Sequence, residues 1–184
     1  TFIISSLDNL KYGFGNMQDD LSGKLAGISS FTGQTINELR DTIWAMNKNS
    51  ITFEDLQSRI SNFIDKARAT SSNVQFEFMI SSEVDVEHTF TSVAGMNIYR
   101  VIQEAVNNAI KYAEASSITV DVSEVQKQFR IEIKDDGEGF NINGIEFGNG
   151  LNNMKKRAKD INAKFQVNTS EGEGTQIVLS VHKE

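Results

Sequence analysis

The sequence contains no cysteine and no proline. Without cysteine, the chain can form neither a disulfide framework nor a thiolate metal site, and this composition fits the reducing cytoplasm, where we expect this region to lie. Without proline, no proline-rich linker divides the chain. The sequence also lacks a run of about 18 apolar residues, which a membrane-spanning helix would need. We therefore expect a region that depends neither on cysteine chemistry nor on insertion into a membrane.

Positive charge is also scarce. The chain has 18 lysines and arginines against 25 acidic residues, which gives a formal net charge of -7. A groove for nucleic acid or an anionic membrane surface would need clustered basic side chains, so we expect neither partner. A local basic pocket for a phosphate ligand stays compatible with this balance. The apolar content of 39% is enough for a packed core, and 184 residues suit one or two small domains.

Residues 1–47 predict two amphipathic helices. Their apolar residues recur at heptad-like spacing in two stripes: Ile3, Leu7, Leu10, Phe14 and Met17, then Leu21, Leu25, Ile28, Ile36, Leu39, Ile43 and Met46. A turn and a new N-cap are indicated by Gly13, Gly15 and Asn16, followed by Asp19 and Asp20. A helical hairpin of this kind exposes an apolar seam, which a second copy would bury in a four-helix bundle. We therefore expect a homodimer through residues 1–47. Because the chain begins without Met inside this pattern, we also expect a fragment of a longer protein.

A linker over residues 48–52 is predicted to lead into a catalytic domain over 53–184. Thr52 and Asp55 resemble a capping box that opens a helix to about residue 71. Further patterns predict a strand at 74–80, a helix at 93–114, a hairpin of strands at 118–122 and 129–133, a helix at 150–162, and strands at 164–169 and 175–182. This order of hairpins and helices predicts an α+β fold, with helices layered on one face of a mixed sheet.

The helix predicted at 93–114 has an unusual polar face, made by Glu104, Asn107, Asn108 and Lys111. An ordinary solvent-exposed face is one interpretation. Asparagine is a poor helix former, however, so two adjacent asparagines favour a chemical reason. An amide oxygen of Asn suits Mg²⁺, a Glu one turn earlier can reach a nucleophile, and a Lys one turn later can contact a phosphate.

A second motif, Asp135-Asp136-Gly137-Glu138-Gly139-Phe140, follows a predicted strand. Asp and Gly are common in turns, so a tight strand-ending turn is one interpretation. In the other, Asp135 accepts a hydrogen bond from an exocyclic amine, while the glycines let the backbone approach a planar base. Such a contact would select adenine over guanine.

Two more glycine motifs follow. Gly148-Asn149-Gly150-Leu151 opens a predicted helix, where free N–H groups and the helix dipole favour a phosphate. Gly172-Glu173-Gly174-Thr175 leads into the last strand, as any hairpin turn could. Neither a Walker loop nor a dinucleotide-binding fingerprint is present.

Taken in order, these four motifs resemble the GHKL ATPase superfamily over residues 53–183. The segments IYRVIQEAVNNAIKYA and GNGLNNMKKRA are similar to the histidine-kinase branch with a short ATP lid, the nitrate-sensor and lipid-sensor-like kinases. The resemblance implies the α/β sandwich of the Bergerat type, with ATP and Mg²⁺ as cofactors. It also implies transfer of the γ-phosphate to a histidine, relay to a response regulator receiver domain, and a parent protein that other regions could anchor in the inner membrane.

The resemblance also implies roles for individual residues. Glu104 matches the residue that activates or orients the phosphoacceptor, and Asn108 matches the Mg²⁺ ligand. Asp135 matches the adenine contact. The remaining matches are nucleotide-binding residues: Lys111 and Tyr112 on the phosphate side, Gly137, Gly139 and Phe140 around the adenine contact, Gly148, Gly150 and Leu151 at the end of the lid, and Thr175 beside adenine.

The phosphoacceptor histidine of this family has no match in the chain. The two histidines present, His88 and His182, lie outside residues 1–47, and we expect both to be surface residues. We therefore expect ATP binding without self-phosphorylation. Two alternatives stay open: a GHKL serine kinase of the anti-sigma type, which usually lacks the long helical hairpin, and a non-catalytic dimeric nucleotide-sensing module, against which the intact Glu104, Asn108 and Asp135 count.

Overall fold

In a computed structural model, the chain divides into two compact units, residues 1–47 and residues 48–184. The structure describes isolated residues between 25 and 44 of the first unit, and residues 50–141 and 149–183 of the second. Every described residue of the first unit is helical, which agrees with the second of the two predicted helices. The first predicted helix and the turn lie outside the described residues. Ile28, Leu39 and Ile43 are about half exposed, at 51%, 58% and 56%.

The second unit has the predicted α+β organisation. In chain order its elements are β1 (Ser50–Thr52), α1 (Phe53–Thr70), β2 (Gln75–Ile80), β3 (Thr89–Thr91), α2 (Ser92–Tyr112), β4 (Ser117–Val125), β5 (Gln128–Asp135), α3 (Asn149–Asp160), β6 (Lys164–Thr169) and β7 (Thr175–His182). The part of the chain that the structure describes contains no helix with the length and apolar character needed to cross a bilayer.

Five strands form one mixed sheet in the order β2-β4-β5-β7-β6. Strands β2 and β4 run parallel, and the other neighbours run antiparallel. The β4–β5 hairpin turns through Gln126 and Lys127, whose φ angles of 52° and 62° match the paired left-handed conformations of a type I′ turn. The resulting register pairs Ile118 with Asp135, so the strand end that carries Asp135 lies beside the start of β4.

Alternation along the strands separates a buried face of the sheet from a polar one. Ile118, Val120 and Val122 of β4 are at most 1% exposed, whereas Thr119 and Asp121, which alternate with them, are more accessible. Helix α2 contacts β4, β5 and β7, and it buries Ile98 and Ile102 completely. Each fully buried side chain of this size contributes about 1.5–3 kcal/mol. The 3.6-residue period of α2 therefore keeps Glu104 and Asn108 away from this core, at its edge.

The segment predicted as a linker, residues 48–52, differs from the structure. Residues 50–52 form strand β1, which pairs antiparallel with β3 and places Ile51 opposite Phe90. Ile51 is fully buried and packs on Gly95 at the start of α2, where a β-carbon would lie 2.8 Å from the Ile51 side chain. A three-residue strand is too short to produce an alternating pattern, so the sequence carried no signal for it. The capping box of Thr52 and Asp55 is confirmed by reciprocal hydrogen bonds of 3.0 and 3.2 Å.

Candidate nucleotide site

The first part of the site lies where the middle of α2 meets the start of α3. Glu104 and Asn108 are half-buried and lie one turn apart on α2. Gly150, in the first turn of α3, approaches both of them closely. A β-carbon on Gly150 would overlap the Glu104 carboxylate and lie 3.1 Å from the Asn108 amide nitrogen. Only a glycine lets the two helices come this close, so the structure brings these three predicted residues together.

The start of α3 places a partial positive charge at this junction, beside the Glu104 carboxylate. The start of α3 has backbone N–H groups without partners inside the helix, and the positive end of the helix dipole lies there. A hydrogen bond of 3.4 Å from the Arg157 guanidinium to the side chain of Asn97 links α3 to α2. Asn97 is 8% exposed, so this polar contact is made inside the protein.

Of the other residues predicted at the end of the lid, Leu151 is half-buried beside Gly150, and Gly148 lies outside the described residues.

The second part of the site is built around Asp135, the last residue of β5. Its side chain is only 7% exposed. One carboxylate oxygen, Oδ1, accepts hydrogen bonds from the backbone N–H groups of Gly137 at 3.0 Å and Thr175 at 3.2 Å. Among the described residues, the other oxygen has no hydrogen-bond partner. Burial raises the pKa of Asp135, although the two N–H groups act in the opposite direction. Asp135 thus combines a fixed position with one free acceptor atom.

Two glycines allow chain segments to close around Asp135. A β-carbon on Gly137 would overlap the carbonyl oxygen of Ala113, just after α2. Gly139 has a φ of 60°, a left-handed conformation that other residues rarely adopt, and a β-carbon there would overlap the carbonyl oxygen of Ser170. The predicted framing role of these glycines therefore has a steric basis in the structure.

The start of β7 brings the Thr175 N–H to Asp135, and the turn before it depends on a residue that the sequence analysis missed. The Thr169 hydroxyl donates a hydrogen bond to the Gly174 carbonyl at 2.9 Å and accepts one from the Phe140 N–H at 3.1 Å. Its oxygen also lies 3.2 Å from the Thr175 hydroxyl. Thr169 therefore ties the loop after β5 to the turn before β7. The sequence contained one indication of this role: Thr169 carries a hydroxyl group at a position where the alternation of β6 predicts an apolar side chain.

Helix α2 connects the two parts of the site. Gly137 packs against Ala113 at the C-terminal end of α2, while Asn108 lies five residues earlier. At 1.5 Å per residue, this spacing corresponds to about 7.5 Å along the helix axis. Lys111 and Tyr112 come between the two parts. Both are exposed, Tyr112 at 73%, and among the described residues no hydrogen bond fixes either side chain.

The two histidines differ in their surroundings. His182 is exposed at the end of β7, as predicted. The prediction that His88 is a surface residue was wrong, since its ring is half-buried against Phe90 and Phe129, with centroid distances of 4.7 and 5.0 Å. Burial lowers the pKa of His88, and the nearby Lys183 ammonium lowers it further.

Comparison with known proteins agrees with this geometry. Residues 94–184 match a sequence family described as histidine kinase-, DNA gyrase B- and HSP90-like ATPases. These residues form a domain of that ATPase family. The match begins in α2 and includes both parts of the site.

Longer relatives extend the similarity beyond this domain. The chain is 28% identical over 156 residues to the sensor histidine kinase LiaS of Bacillus subtilis, with 84% of this chain and 41% of LiaS covered. It is 27% identical over 165 residues to a sensor-like histidine kinase of Chloroflexus aurantiacus, with 86% of this chain and 27% of that protein covered. The chain thus spans less than half the length of either relative.

Solved structures show the same fold. The histidine kinase domain of the blue-light activated histidine kinase of Erythrobacter litoralis EL346 has a TM-score of 0.64 and 15% identity, covering 98% of this chain and 92% of that domain. The histidine kinase AdeS of Acinetobacter baumannii has a TM-score of 0.65 and 14% identity, covering 100% of this chain and 94% of that chain. The predicted α+β fold of the histidine-kinase ATPase type is therefore confirmed.

Proposed function

We propose that this chain binds ATP in the cytoplasm and forms the catalytic region of a sensor histidine kinase. In this proposal the γ-phosphate of ATP passes to a histidine other than His88 and His182, and from there to an aspartate of a response regulator receiver domain. Both of those histidines belong to the second unit, outside the helical residues that precede it. The proposal is supported by the ATPase family match and by similarity to two sensor-like kinases.

The observation that carries the proposal is the buried carboxylate of Asp135. A nearly buried carboxylate whose first oxygen is held by two backbone N–H groups presents its second oxygen in a fixed direction. The exocyclic amine of adenine is a donor that such an oxygen would accept from. Guanine carries a carbonyl in that place, and two acceptors facing each other would leave buried polar groups unpaired. We therefore assign adenine recognition to Asp135, with Gly137, Gly139, Phe140 and Thr175 around it.

The phosphates are assigned to the junction of α2 and α3. There the start of α3 offers N–H groups, and Gly150 brings that helix end beside Asn108. Asn108 would hold Mg²⁺ through its amide oxygen, since this ion binds through one or two protein groups together with phosphate oxygens and water. When bound, the ion offsets negative charge on the phosphates. Lys111, exposed one turn further along α2, is free to reach a phosphate as a point charge.

Glu104 is assigned to the phosphoacceptor. A neutral imidazole is already nucleophilic, so the carboxylate need only take up its proton or fix its tautomer. Glu104 is half-buried and lies one turn from Asn108, so the two side chains point to the same region but offer different chemistry. Proximity of this kind supports transfer, because a displacement of about 1 Å at the reacting atoms can cost about 100-fold in rate.

We also propose that two copies associate through residues 1–47. Ile28, Leu39 and Ile43 fall on one helical face and are all more than half exposed in the single chain. Burial against a second copy would remove this apolar surface from water at about 25 cal/mol per Å².

Titration calorimetry with Mg-ADP tests the nucleotide assignment. Asp135→Asn replaces the free oxygen with a donor or rotates it away, and it should lower the affinity by about 30–150-fold, equivalent to about 2–3 kcal/mol. The matched control is Asp121→Asn, the same chemical change on the polar face of the neighbouring strand, which should leave the affinity unchanged. Equal affinity of the wild type and the Asp135 variant would remove Asp135 from the site and the proposal with it.

A further inference from the structure

The residue after the adenine contact faces the other way and makes its own set of bonds. Asp136 is exposed, whereas Asp135 is buried, as expected for successive residues of an extended strand. Its Oδ1 accepts hydrogen bonds from the backbone N–H groups of Ser116 and Ser117, both at 2.8 Å. Its Oδ2 accepts one from the Ser116 hydroxyl at 2.5 Å. Three donors from the start of β4 thus converge on one carboxylate.

These bonds act at the end of the β4–β5 ladder. The Cα register pairs Asp135 with Ile118, and the Asp136 N–H donates to the Ser117 carbonyl at 3.3 Å, one step beyond that pair. Strand ends fray most easily, and a slip of one residue would turn Asp135 from the buried face to the exposed one. The Asp136 carboxylate opposes this slip because it fastens the chain directly after Asp135 to the neighbouring strand.

We propose that Asp136 is a positioning residue for adenine recognition: by binding Ser116 and Ser117, it holds the free oxygen of Asp135 toward the base. This inference rests on the proposed nucleotide site and adds a residue outside the nucleotide pocket to it. Asp136 does not touch the base, because its side chain points away from the buried face. Its effect on binding passes entirely through Asp135 and therefore concerns the 6-position of the purine.

The protonation of Asp136 agrees with this role. The hydrogen bonds from Ser116 and Ser117 hold the pKa of the Asp136 carboxyl below its ordinary value. The ionised form, which accepts all three bonds, is therefore the form present at neutral pH. Hydrogen bonds to a charged group are shorter and stronger than those between neutral groups. Bonds of this kind can hold the end of β5 against β4 even though this end is exposed to solvent.

The test compares Mg-ADP with Mg-IDP, whose base has a carbonyl in place of the 6-amino group. For the wild-type chain we expect tighter binding of ADP. Asp136→Ala should weaken ADP binding about tenfold and leave IDP binding within about twofold, so that the preference for adenine shrinks. Asp136→Asn keeps an acceptor for the two backbone N–H groups and should retain most of the preference. Glu138→Ala, which removes an exposed carboxylate in the same loop, is the matched control and should change neither affinity.

A double mutant separates positioning from general damage. If Asp136 acts through Asp135, adding Asp136→Ala to Asp135→Asn should lower ADP affinity by less than twofold, because the contact is already lost. Should Asp136→Ala fail to fold by thermal denaturation, Ser116→Ala removes only the 2.5 Å bond and should reduce the ADP preference by about threefold.

The failures are distinguishable. A wild-type chain that binds ADP and IDP equally, or neither, contradicts the proposed function. In a second outcome, the wild-type chain prefers ADP, but the Asp136→Ala variant keeps the full preference or binds both nucleotides equally more weakly. Either result for the variant overturns the positioning role and leaves the proposed function intact. If Asp136→Ala does not fold, an unchanged preference in Ser116→Ala overturns the role in the same way.

Discussion

Gly150→Ala should separate the phosphate end of the site from the adenine end. The added methyl group would overlap the Glu104 carboxylate and lie 3.1 Å from the Asn108 amide nitrogen. Either Glu104 must rotate away or α3 must shift outward from α2. A shift of α3 would increase the distance between its start and Asn108, the two groups that we assign to the phosphates. If Glu104 rotated instead, the added methyl group would still lie 3.1 Å from the Asn108 amide nitrogen, between these two groups.

The expected change in stability is small, because two effects oppose each other. Ala is favoured over Gly inside a helix by about 0.5–1 kcal/mol. Forcing an extra methyl group into a packed contact costs about 1–3 kcal/mol, and the half-buried Glu104 side chain can move to relieve part of it. The net change in unfolding free energy should therefore stay within about 2 kcal/mol, whereas affinity for Mg-ADP should fall by about tenfold or more.

Calorimetric titration with Mg-ADP and with adenosine tests this reasoning. Adenosine lacks phosphates, so its affinity should change by less than about twofold if Gly150 acts only at the phosphate end. Gly33→Ala is the matched control, since a β-carbon at this helical glycine would meet no other segment of the described residues within 4 Å. Combining Gly150→Ala with Glu104→Ala should restore part of the ADP affinity, because the shorter side chain leaves room for the methyl group. Wild-type ADP affinity in Gly150→Ala, or an equal loss for adenosine, would refute the assignment.

Further predictions concern catalysis, pH and assembly. Asn108→Ala should weaken Mg-dependent ATP binding. Glu104→Gln should leave ATP binding unchanged but slow the labelling of the phosphoacceptor from γ-labelled ATP, measured in a longer chain that contains this histidine. An unchanged labelling rate would mean that Glu104 has only a structural role. Burial lowers the folded-state pKa of His88 below its unfolded value of about 6.5, so the folded chain holds the neutral ring more readily than the charged one. The free energy of unfolding should therefore be highest above that pH and should decrease as the pH falls through the folded pKa, because the unfolded chain takes up the proton first. Thermal denaturation of wild type and His88→Gln between pH 7 and pH 5 measures this, and equal pH dependence would contradict it. Light scattering at micromolar concentration should give a dimer mass that Ile43→Asp reduces to a monomer, and a monomeric wild type would contradict the bundle.

Local patterns in the sequence predicted much of the second unit. The last two strands were predicted at 164–169 and 175–182, and the structure has them at Lys164–Thr169 and Thr175–His182. The 3.6-residue period of α2 also predicted that Glu104 and Asn108 would lie together on a polar face. These features depend on residues close in the chain, whose spacing alone decides which side of an element they share.

Tertiary structure decided the contacts between distant segments. Strand β1 could be identified only from the structure, where Ile51 lies opposite Phe90 and packs on Gly95. A pair of three-residue strands is stabilised by such packing and is too short to show an alternating pattern in the sequence. The approach of Gly150 to Glu104 depends on how α3 packs on α2, which no spacing encodes. Asp136 is the clearest case, since the sequence places it beside Asp135 in one motif. Only the pairing of β4 with β5 turns the Asp135 carboxylate toward the core. The same pairing brings three hydrogen-bond donors to Asp136, from a segment about 20 residues away in the chain.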